Sequence, residues 1–194
     1  MPHRPKIILD CDGVCGDFIT PVTRAANFIM GRTDLTPKLV DQWEMTKSYG
    51  MDATQKAALF RIISAPGFCA SLRPYPGAVM GIREIATFAD VHVATFPWDG
   101  DYWHRERELW CRDVLGIPRF RVAQLSAKEL MTEGDVLVED KAETLVEWNH
   151  AKRRHAGTAL PILFARPWNR RSGWTGSEVE TWPQLVNLLK RRFT

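Results

Sequence analysis

The chain has 194 residues, of which 45% are hydrophobic and 25% are charged, and its formal net charge is +3. This length and composition suit one globular domain, or one domain that carries an insertion, and they exclude an intrinsically disordered chain. No apolar run approaches the roughly 20 residues that span a bilayer, and Asp10 and Asp12 interrupt the first apolar stretch, so we expect neither a membrane protein nor a secretory signal. The four cysteines form no C-x-x-C pair, so we expect reduced thiols and a cytoplasmic location.

The first predicted element is a strand at 6–10, because the run Ile7-Ile8-Leu9 is too short for a helix and rich in branched residues. This strand leads Asp10 and Asp12 directly into a glycine turn at Gly13. Two crowded carboxylates are costly unless a cation or a proton shares them, which makes the pair a candidate for chemistry. The alternative, for an isolated Asp-x-Asp-Gly, is a polar strand end followed by a turn.

The segment 18–75 is predicted to be a small helical insertion. Helical patterns cover 19–31 and 53–64, and the segment shows no strand pattern. It is far longer than an ordinary connection between a strand and a helix. We therefore predict that 18–75 forms a cap over the sheet edge, and that 1–17 and 76–194 form the catalytic core.

The rest of the chain alternates between predicted strands and helices. The strands are predicted at 90–95, 119–125, 135–139 and 160–165. The helices are predicted to open at Pro76-Gly77, to cover about 101–115 and about 142–155 with stops at Gly116 and near Gly157, and to run from a capping box at Thr181 to the C-terminus. This alternation implies an α/β fold, with a parallel sheet flanked by helices.

Each later strand ends close to a group that suits phosphate or metal. These groups are Thr95, Lys128 and the pair Glu139-Asp140. The carboxyl ends of parallel strands meet at one edge of a sheet, so we expect these groups to lie close to Asp10 and Asp12. Each has an ordinary structural alternative, namely a helix cap, a solvated lysine and an acidic helix start. Their occurrence in order at successive strand ends favours a site.

In that order, Asp-x-Asp-Gly, Thr, Lys and an acidic pair resemble the four motifs of the haloacid dehalogenase superfamily. Further segments resemble the 5'(3')-deoxyribonucleotidase family, and these are Asp17-Phe18, 43–50, 68–79, 94–97 and Thr181-Trp182. The resemblance implies a Rossmann-like haloacid dehalogenase fold with a small cap inserted after the first strand. It also implies a magnesium-dependent 5'-nucleotidase that acts on deoxyribonucleoside monophosphates through an aspartyl-phosphate intermediate.

The resemblance assigns the catalytic and metal-binding roles. Asp10 is the nucleophile that attacks phosphorus, and Asp12 protonates the leaving alkoxide and then deprotonates water. Mg²⁺ is held by Asp10, Asp140 and the main-chain carbonyl of Asp12, which form an all-oxygen site. Glu139 is expected to support the metal shell through a water.

The remaining site residues are assigned to phosphate and substrate. Thr95, Phe96 and Lys128 are the expected phosphate-binding residues. The expected substrate-binding residues are three aromatic side chains of the insertion, Phe18, Trp43 and Phe68. Flat aromatic faces stack on nucleobases with little demand on sequence. The alternative for these three residues is a hydrophobic core within the cap.

The chain departs from the nucleotidase pattern at three places. Phe96 follows Thr95 where the family usually has Ser, and Lys141 ends the fourth motif where the family usually has Arg. Ser126 and Ala127 stand before the motif-three lysine, where charged residues are usual. Two of these places are close to the phosphate or the base, so the sequence defines the reaction more closely than the substrate.

Several alternatives stay open at this stage. The phosphatase could act on another small phosphate ester, or on a nucleic-acid end attracted by 151–194, which holds nine Lys and Arg against two Glu. The fold could also carry a non-catalytic binding protein, although the nucleophile, acid, lysine and metal carboxylate are all present. The expected partner is a small phosphorylated molecule, no membrane is involved, and a homodimer is possible.

Overall fold

The computed structural model describes residues 4–96, 98–154 and 159–194, and its centre is a six-stranded parallel sheet. The strands are β1 (Lys6–Leu9), β2 (Gly16–Asp17), β3 (Arg73–Pro74), β4 (Asp90–Thr95), β5 (Val122–Gln124), β6 (Val136–Glu139), β7 (Leu160–Phe164) and β8 (Ser177–Val179). The order in the large sheet is β5-β4-β1-β6-β7-β8. The first strand of the chain therefore lies between the two strands whose ends carry the predicted Thr95 and the acidic pair.

The predicted parallel sheet is confirmed, with two differences in its strands. The predicted strand 119–125 begins with a 3-10 turn at Arg119–Arg121, so β5 has only three residues. The strand β8 was not predicted, because it is three residues long and only Val179 in it is buried. A strand with one buried side chain has no periodicity that a sequence pattern can report.

The described part of the chain contains seven α-helices. They are α1 (Ile19–Met30), α2 (Met45–Ser48), α3 (Ala53–Ile63), α4 (Ala78–Ile85), α5 (Trp103–Trp110), α6 (Ala142–Arg154) and α7 (Trp182–Phe193). A π-helical turn over Cys111–Leu115 extends α5, which then stops at Gly116 with φ of 73°. The predicted capping box of α7 is present between Thr181 and Gln184. The predicted end of α6 near Gly157 lies outside the described residues. None of the described helices is long and apolar enough to cross a bilayer.

The two ends of the insertion are held together by a small antiparallel ribbon. In this ribbon Gly16 pairs with Pro74 and Asp17 pairs with Arg73. The helices α1 and α3 pack against each other between these ends. The ribbon supports our proposal that 18–75 is a cap unit connected to the core by two chain segments.

Both faces of the sheet are covered by hydrophobic residues. Successive side chains of a strand point to opposite faces, and accordingly Ile7 and Leu9 belong to one apolar cluster whereas Ile8 belongs to another with Leu137 and Trp148. Ile7, Ile8 and Leu9 are fully buried. Asp10 is the first polar residue after this buried run, and it lies directly beyond the end of β1.

Candidate active site

The carboxyl ends of three neighbouring strands bring the predicted polar residues together. Leu9 pairs with Val93 of β4 and with Val138 of β6, so the three strands end within two residues of one another. Asp10 follows β1 directly, and its main-chain N–H donates to the carbonyl of Val138 at 2.8 Å. Thr95 ends β4 and Asp140 follows β6, and all three side chains are buried.

Lys128 connects two of the buried carboxylates. Its Nζ lies 2.9 Å from Asp10 Oδ1 and 2.5 Å from Glu139 Oε2. Burial raises the pKa of Asp10 well above its usual value, and the Glu139 carboxylate raises it further, while Lys128 opposes both effects. Burial alone lowers the pKa of Lys128, but Asp10 and Glu139 reverse this and hold it above its usual value. The ammonium group is therefore charged at neutral pH and compensates this part of the site.

A cluster of three carboxylates offers a site for a divalent cation. Asp10, Glu139 and Asp140 each present an oxygen, and these oxygens lie within 4.8 Å of one another. Asp140 Oδ1 is buried and accepts no hydrogen bond from any described residue. An oxygen-only set with one unsatisfied carboxylate oxygen fits a hard cation such as Mg²⁺ or Ca²⁺. Glu139, which we predicted to act through a water, is a member of this cluster.

Two neighbours determine how Asp140 is placed. Trp168 Nε1 donates a hydrogen bond to Asp140 Oδ2 at 2.9 Å, and Asn169 Nδ2 donates to the main-chain carbonyl of Asp140 at 2.8 Å. Gly13 has φ of 81°, and a Cβ atom there would collide with the Asp140 carboxylate. A side chain is excluded at position 13, so the glycine of the first motif allows the Asp12 loop to pass directly beside Asp140.

Asp12 has a partner that the sequence analysis missed. Arg107 is 1% exposed, and its Nη2 donates to Asp12 Oδ1 at 2.8 Å and to Asp12 Oδ2 at 2.6 Å. A signal was present, because Trp103, Arg107 and Trp110 share one face of α5 by their spacing. A charged residue between two buried tryptophans on the apolar face of a helix indicates a buried ion pair.

An open cavity of about 440 Å³ lies over these polar groups. Asp10, Asp12, Thr95, Lys128 and Asp140 line its floor. Its lining also includes five aromatic side chains, which are Phe18, Trp43, Phe96, Trp98 and Trp168. Cavities of this size and lining are typical of sites for small organic ligands.

The three aromatic residues predicted to bind a base fall into two groups. Phe18 and Trp43 line the cavity, and Trp43 is 57% exposed with Lys141 Nζ 5.3 Å from its ring centroid. Phe68 is not among the described residues that line the cavity. Its ring packs against Phe18 at 6.1 Å and against Trp103 at 6.2 Å between centroids. We therefore propose the alternative role for Phe68, as a packing residue against Phe18 and Trp103.

In the absence of divalent cations, the free energy of unfolding should rise as the pH falls from about 8 to about 5. Burial, followed by the charge of Asp10, raises the pKa of Asp140 to about 7, whereas an unfolded Asp titrates near pH 4. Between these values the folded protein holds a proton that the unfolded chain has lost, so each pH unit changes stability by up to about 1.4 kcal/mol.

Urea unfolding of the wild type and of Asp140→Asn, both in EDTA, measures this contribution. The Asn variant cannot titrate at this position. The free energy of unfolding of the Asn variant should exceed that of the wild type most near pH 8, and the difference should shrink toward pH 5. A difference that stays constant across this range would contradict a raised pKa of Asp140.

The chain is similar in sequence to proteins of one known family. A sequence profile of the family described as 5' nucleotidase, deoxy (pyrimidine), cytosolic type C protein matches residues 4–192. The chain is 26% identical over 173 residues to a Bordetella pertussis protein with the provisional name 5'(3')-deoxyribonucleotidase, covering 84% of this chain and 85% of that protein. It is 26% identical over 163 residues to the human 5'(3')-deoxyribonucleotidase, cytosolic type, covering 77% of this chain and 80% of the relative.

A solved structure shows the same fold. It is a protein from Burkholderia xenovorans with the provisional name haloacid dehalogenase-like hydrolase. The two chains are 16% identical, the superposition covers 98% of each, and the TM-score is 0.62. This likeness confirms the predicted fold.

Proposed function

This chain belongs to the family of 5' nucleotidase, deoxy (pyrimidine), cytosolic type C proteins, and we propose that it removes the 5'-phosphate of deoxyribonucleoside monophosphates with Mg²⁺ as cofactor. As a member of this family it is a phosphoric monoester hydrolase. The observation that carries the proposal is the convergence of Asp10, Asp12, Thr95, Lys128 and Asp140 on the floor of one aromatic cavity.

In the first half of the reaction, an oxygen of Asp10 forms a bond to phosphorus while the ester P–O bond breaks. The leaving alkoxide takes a proton from Asp12. In the second half, a water attacks phosphorus and gives its proton to Asp12, the bond between phosphorus and Asp10 breaks, and phosphate is released. Asp12 lines the same cavity as Asp10, so one carboxyl group can give up its proton in the first half and take a proton back in the second.

Lys128 and Thr95 are proposed to hold the phosphoryl group. The Lys128 ammonium lies 2.9 Å from Asp10 Oδ1, where it offsets the negative charge of the nucleophile and of the incoming phosphate. This matters because two anions must approach each other in a buried site. Thr95 ends β4 and lines the cavity, and its hydroxyl would donate a hydrogen bond to a phosphoryl oxygen.

Mg²⁺ would be held by Asp10, Asp140 and the main-chain carbonyl of Asp12. Glu139 lies beside Asp10 and Asp140 in the carboxylate cluster. The bound ion would supply neutralisation of phosphate charge. Trp168 holds one oxygen of Asp140 and leaves the other unsatisfied, which is the arrangement a metal ligand needs. Burial raises the pKa of Glu139, and the contact with Lys128 opposes that rise.

A phosphate-release assay tests the proposed function. Deoxyribonucleoside and ribonucleoside 5'-monophosphates, sugar phosphates and a 5'-phosphorylated oligonucleotide are each assayed with Mg²⁺ and with EDTA. We expect the highest kcat/KM on deoxyribonucleoside monophosphates and loss of activity in EDTA. Preference for a sugar phosphate would contradict the proposed substrate class. Preference for the oligonucleotide, with a steep salt dependence, would indicate a nucleic-acid end.

Replacing Trp43 separates base binding from phosphate binding. Trp43→Ala should raise the KM for a nucleotide by about five- to two-hundredfold, since one stacking contact is worth roughly 1–3 kcal/mol. It should barely change the KM for a small aryl phosphate, because Thr95 and Lys128 hold the phosphate. The measurement is a pair of Michaelis–Menten titrations.

Phe68→Ala is the matched control for that experiment. Phe68 packs behind Phe18, so we expect a loss of about 1–3 kcal/mol in unfolding free energy and no selective loss of nucleotide binding. Equal losses on both substrates in Trp43→Ala would indicate a distorted cap rather than a lost stacking contact.

A cytoplasmic location is part of the proposal. It is supported by the four cysteines, all of which are free and buried, and by the words "cytosolic type" in the name of the human relative. Localisation of a tagged protein in cells tests it.

A further inference from the structure

We propose that Arg107 is a positioning residue for the reaction, and that it holds the Asp12 carboxylate in the direction needed for proton transfer. The inference rests on the proposed function, because it takes Asp12 as the proton carrier. Arg107 belongs to α5 and lies 95 positions from Asp12 in the chain. It is part of none of the four motifs.

The contact between the two side chains is bidentate at the carboxylate. Arg107 Nη2 reaches both oxygens of Asp12, at 2.8 and 2.6 Å, while Nη1 lies 2.7 Å from Cys11 Sγ. The Arg107 side chain is 1% exposed, whereas that of Asp12 is 28% exposed and reaches the cavity. One edge of the carboxylate is therefore held from below, and the remainder is open to substrate.

The guanidinium group is itself held in place. Its Cζ lies 5.0 Å from the Trp103 ring centroid and 5.7 Å from that of Trp110. Both indoles are anchored, because Trp103 Nε1 donates to the carbonyl of Ile63 at 2.8 Å and Trp110 Nε1 donates to the carbonyl of Leu72 at 2.7 Å. With two anchored rings beside it, Arg107 provides a rigid support rather than a mobile surface cation.

The burial of the Arg107 guanidinium requires an explanation. Its desolvation is costly, and a buried ion pair contributes little to stability compared with apolar residues of the same shape. Within the described residues, Asp12 is the one carboxylate that forms an ion pair with Arg107. Precise placement of a proton-transfer group is a benefit that apolar residues could not supply, since small displacements of reacting groups cost large factors in rate.

A double-mutant cycle tests the proposal, with kcat/KM for a deoxyribonucleoside monophosphate as the main readout. Arg107→Met should lower kcat/KM by roughly 10- to 100-fold, mainly through kcat, because misplacing a catalytic group is costly. Asp12→Asn should cost roughly 10²–10⁴-fold. In the Asp12→Asn background, adding Arg107→Met should change kcat/KM by less than about threefold, because a residue that acts through Asp12 has nothing left to position.

A second substrate separates positioning from general damage. 4-Nitrophenyl phosphate has a leaving group that departs without protonation, so its kcat/KM should fall much less in Arg107→Met than that of the nucleotide. Arg107→Lys, which keeps the charge and one contact, should recover part of the nucleotide activity. Arg105→Met, at an exposed arginine of the same helix, should behave as the wild type. Thermal unfolding of each variant reports on the fold.

The inference would be overturned if Arg107→Met lowered kcat/KM equally in the wild-type and Asp12→Asn backgrounds. It would also be overturned if a folded Arg107→Met variant lost kcat/KM equally on both substrates. If Arg107→Met does not fold, Arg107→Lys decides by the same cycle. Wild-type protein that hydrolyses neither substrate would instead contradict the proposed function, so the two failures are distinguishable.

Discussion

Asp10→Asn is expected to abolish phosphatase turnover while the fold stays intact. An amide oxygen does not attack phosphorus as a carboxylate does, so no aspartyl-phosphate can form. Steady-state kcat should fall by at least about 10⁴-fold, which corresponds to roughly 5–6 kcal/mol of lost transition-state stabilisation. Phosphate release from a deoxyribonucleoside monophosphate measures it.

The fold should tolerate this change because of the charges that surround Asp10. Burial and the neighbouring Glu139 raise the pKa of Asp10, which means that its ionised form is held in the folded protein at a cost. Asn removes that charge and keeps a polar side chain beside Lys128, which retains its contact with Glu139. The unfolding free energy in EDTA should therefore be equal to that of the wild type or higher.

An acid-quench experiment with labelled substrate provides the control. With the label on the phosphoryl group, the quenched wild-type protein should carry label as aspartyl-phosphate, and Asp10→Asn should carry none. Mass spectrometry excludes deamidation of the Asn back to Asp, which would restore activity. Substantial turnover by intact Asp10→Asn would remove Asp10 from the nucleophile role.

Lys128→Met is expected to cause the largest loss of stability. Lys128 is the cation between Asp10 and Glu139, and all three side chains are largely shielded from solvent. Removing one partner of a buried ion pair typically costs about 3–5 kcal/mol, because it leaves an uncompensated buried charge. Chemical denaturation at about pH 7.5 in EDTA should show a loss of that size, together with loss of phosphatase activity.

Two controls establish that charge, rather than packing, is responsible. At lower pH the uncompensated carboxylates take up protons, so the stability deficit of Lys128→Met should shrink. The double variant Lys128→Met with Glu139→Gln should recover part of the lost stability, because one of the two unpaired charges is gone. A deficit below about 1 kcal/mol at pH 7.5 would be inconsistent with a buried ion pair at this position.

The sequence predicted the elements whose signals are local. The branched run before Asp10 predicts β1, the Thr181 box predicts the start of α7, and Gly116 predicts the end of the α5 segment, and all three are confirmed. Each depends on a few consecutive residues. The sequence also placed Thr95 and Asp140 near Asp10, because parallel strands with helical crossovers align their carboxyl ends whatever the details of packing.

Tertiary structure alone decided which side chains touch across the site. Arg107 contacts Asp12, Trp168 contacts Asp140, and Phe68 packs against Phe18. These contacts depend on the rotation of a helix about its axis and on the path of a loop. Local periodicity reports that Trp103, Arg107 and Trp110 share a face, but not what that face covers. The sequence by itself therefore determined the parallel sheet apart from β8, the strand-end motifs and the class of reaction. Packing between distant segments decided how the proton carrier, the metal ligands and the cavity wall are held.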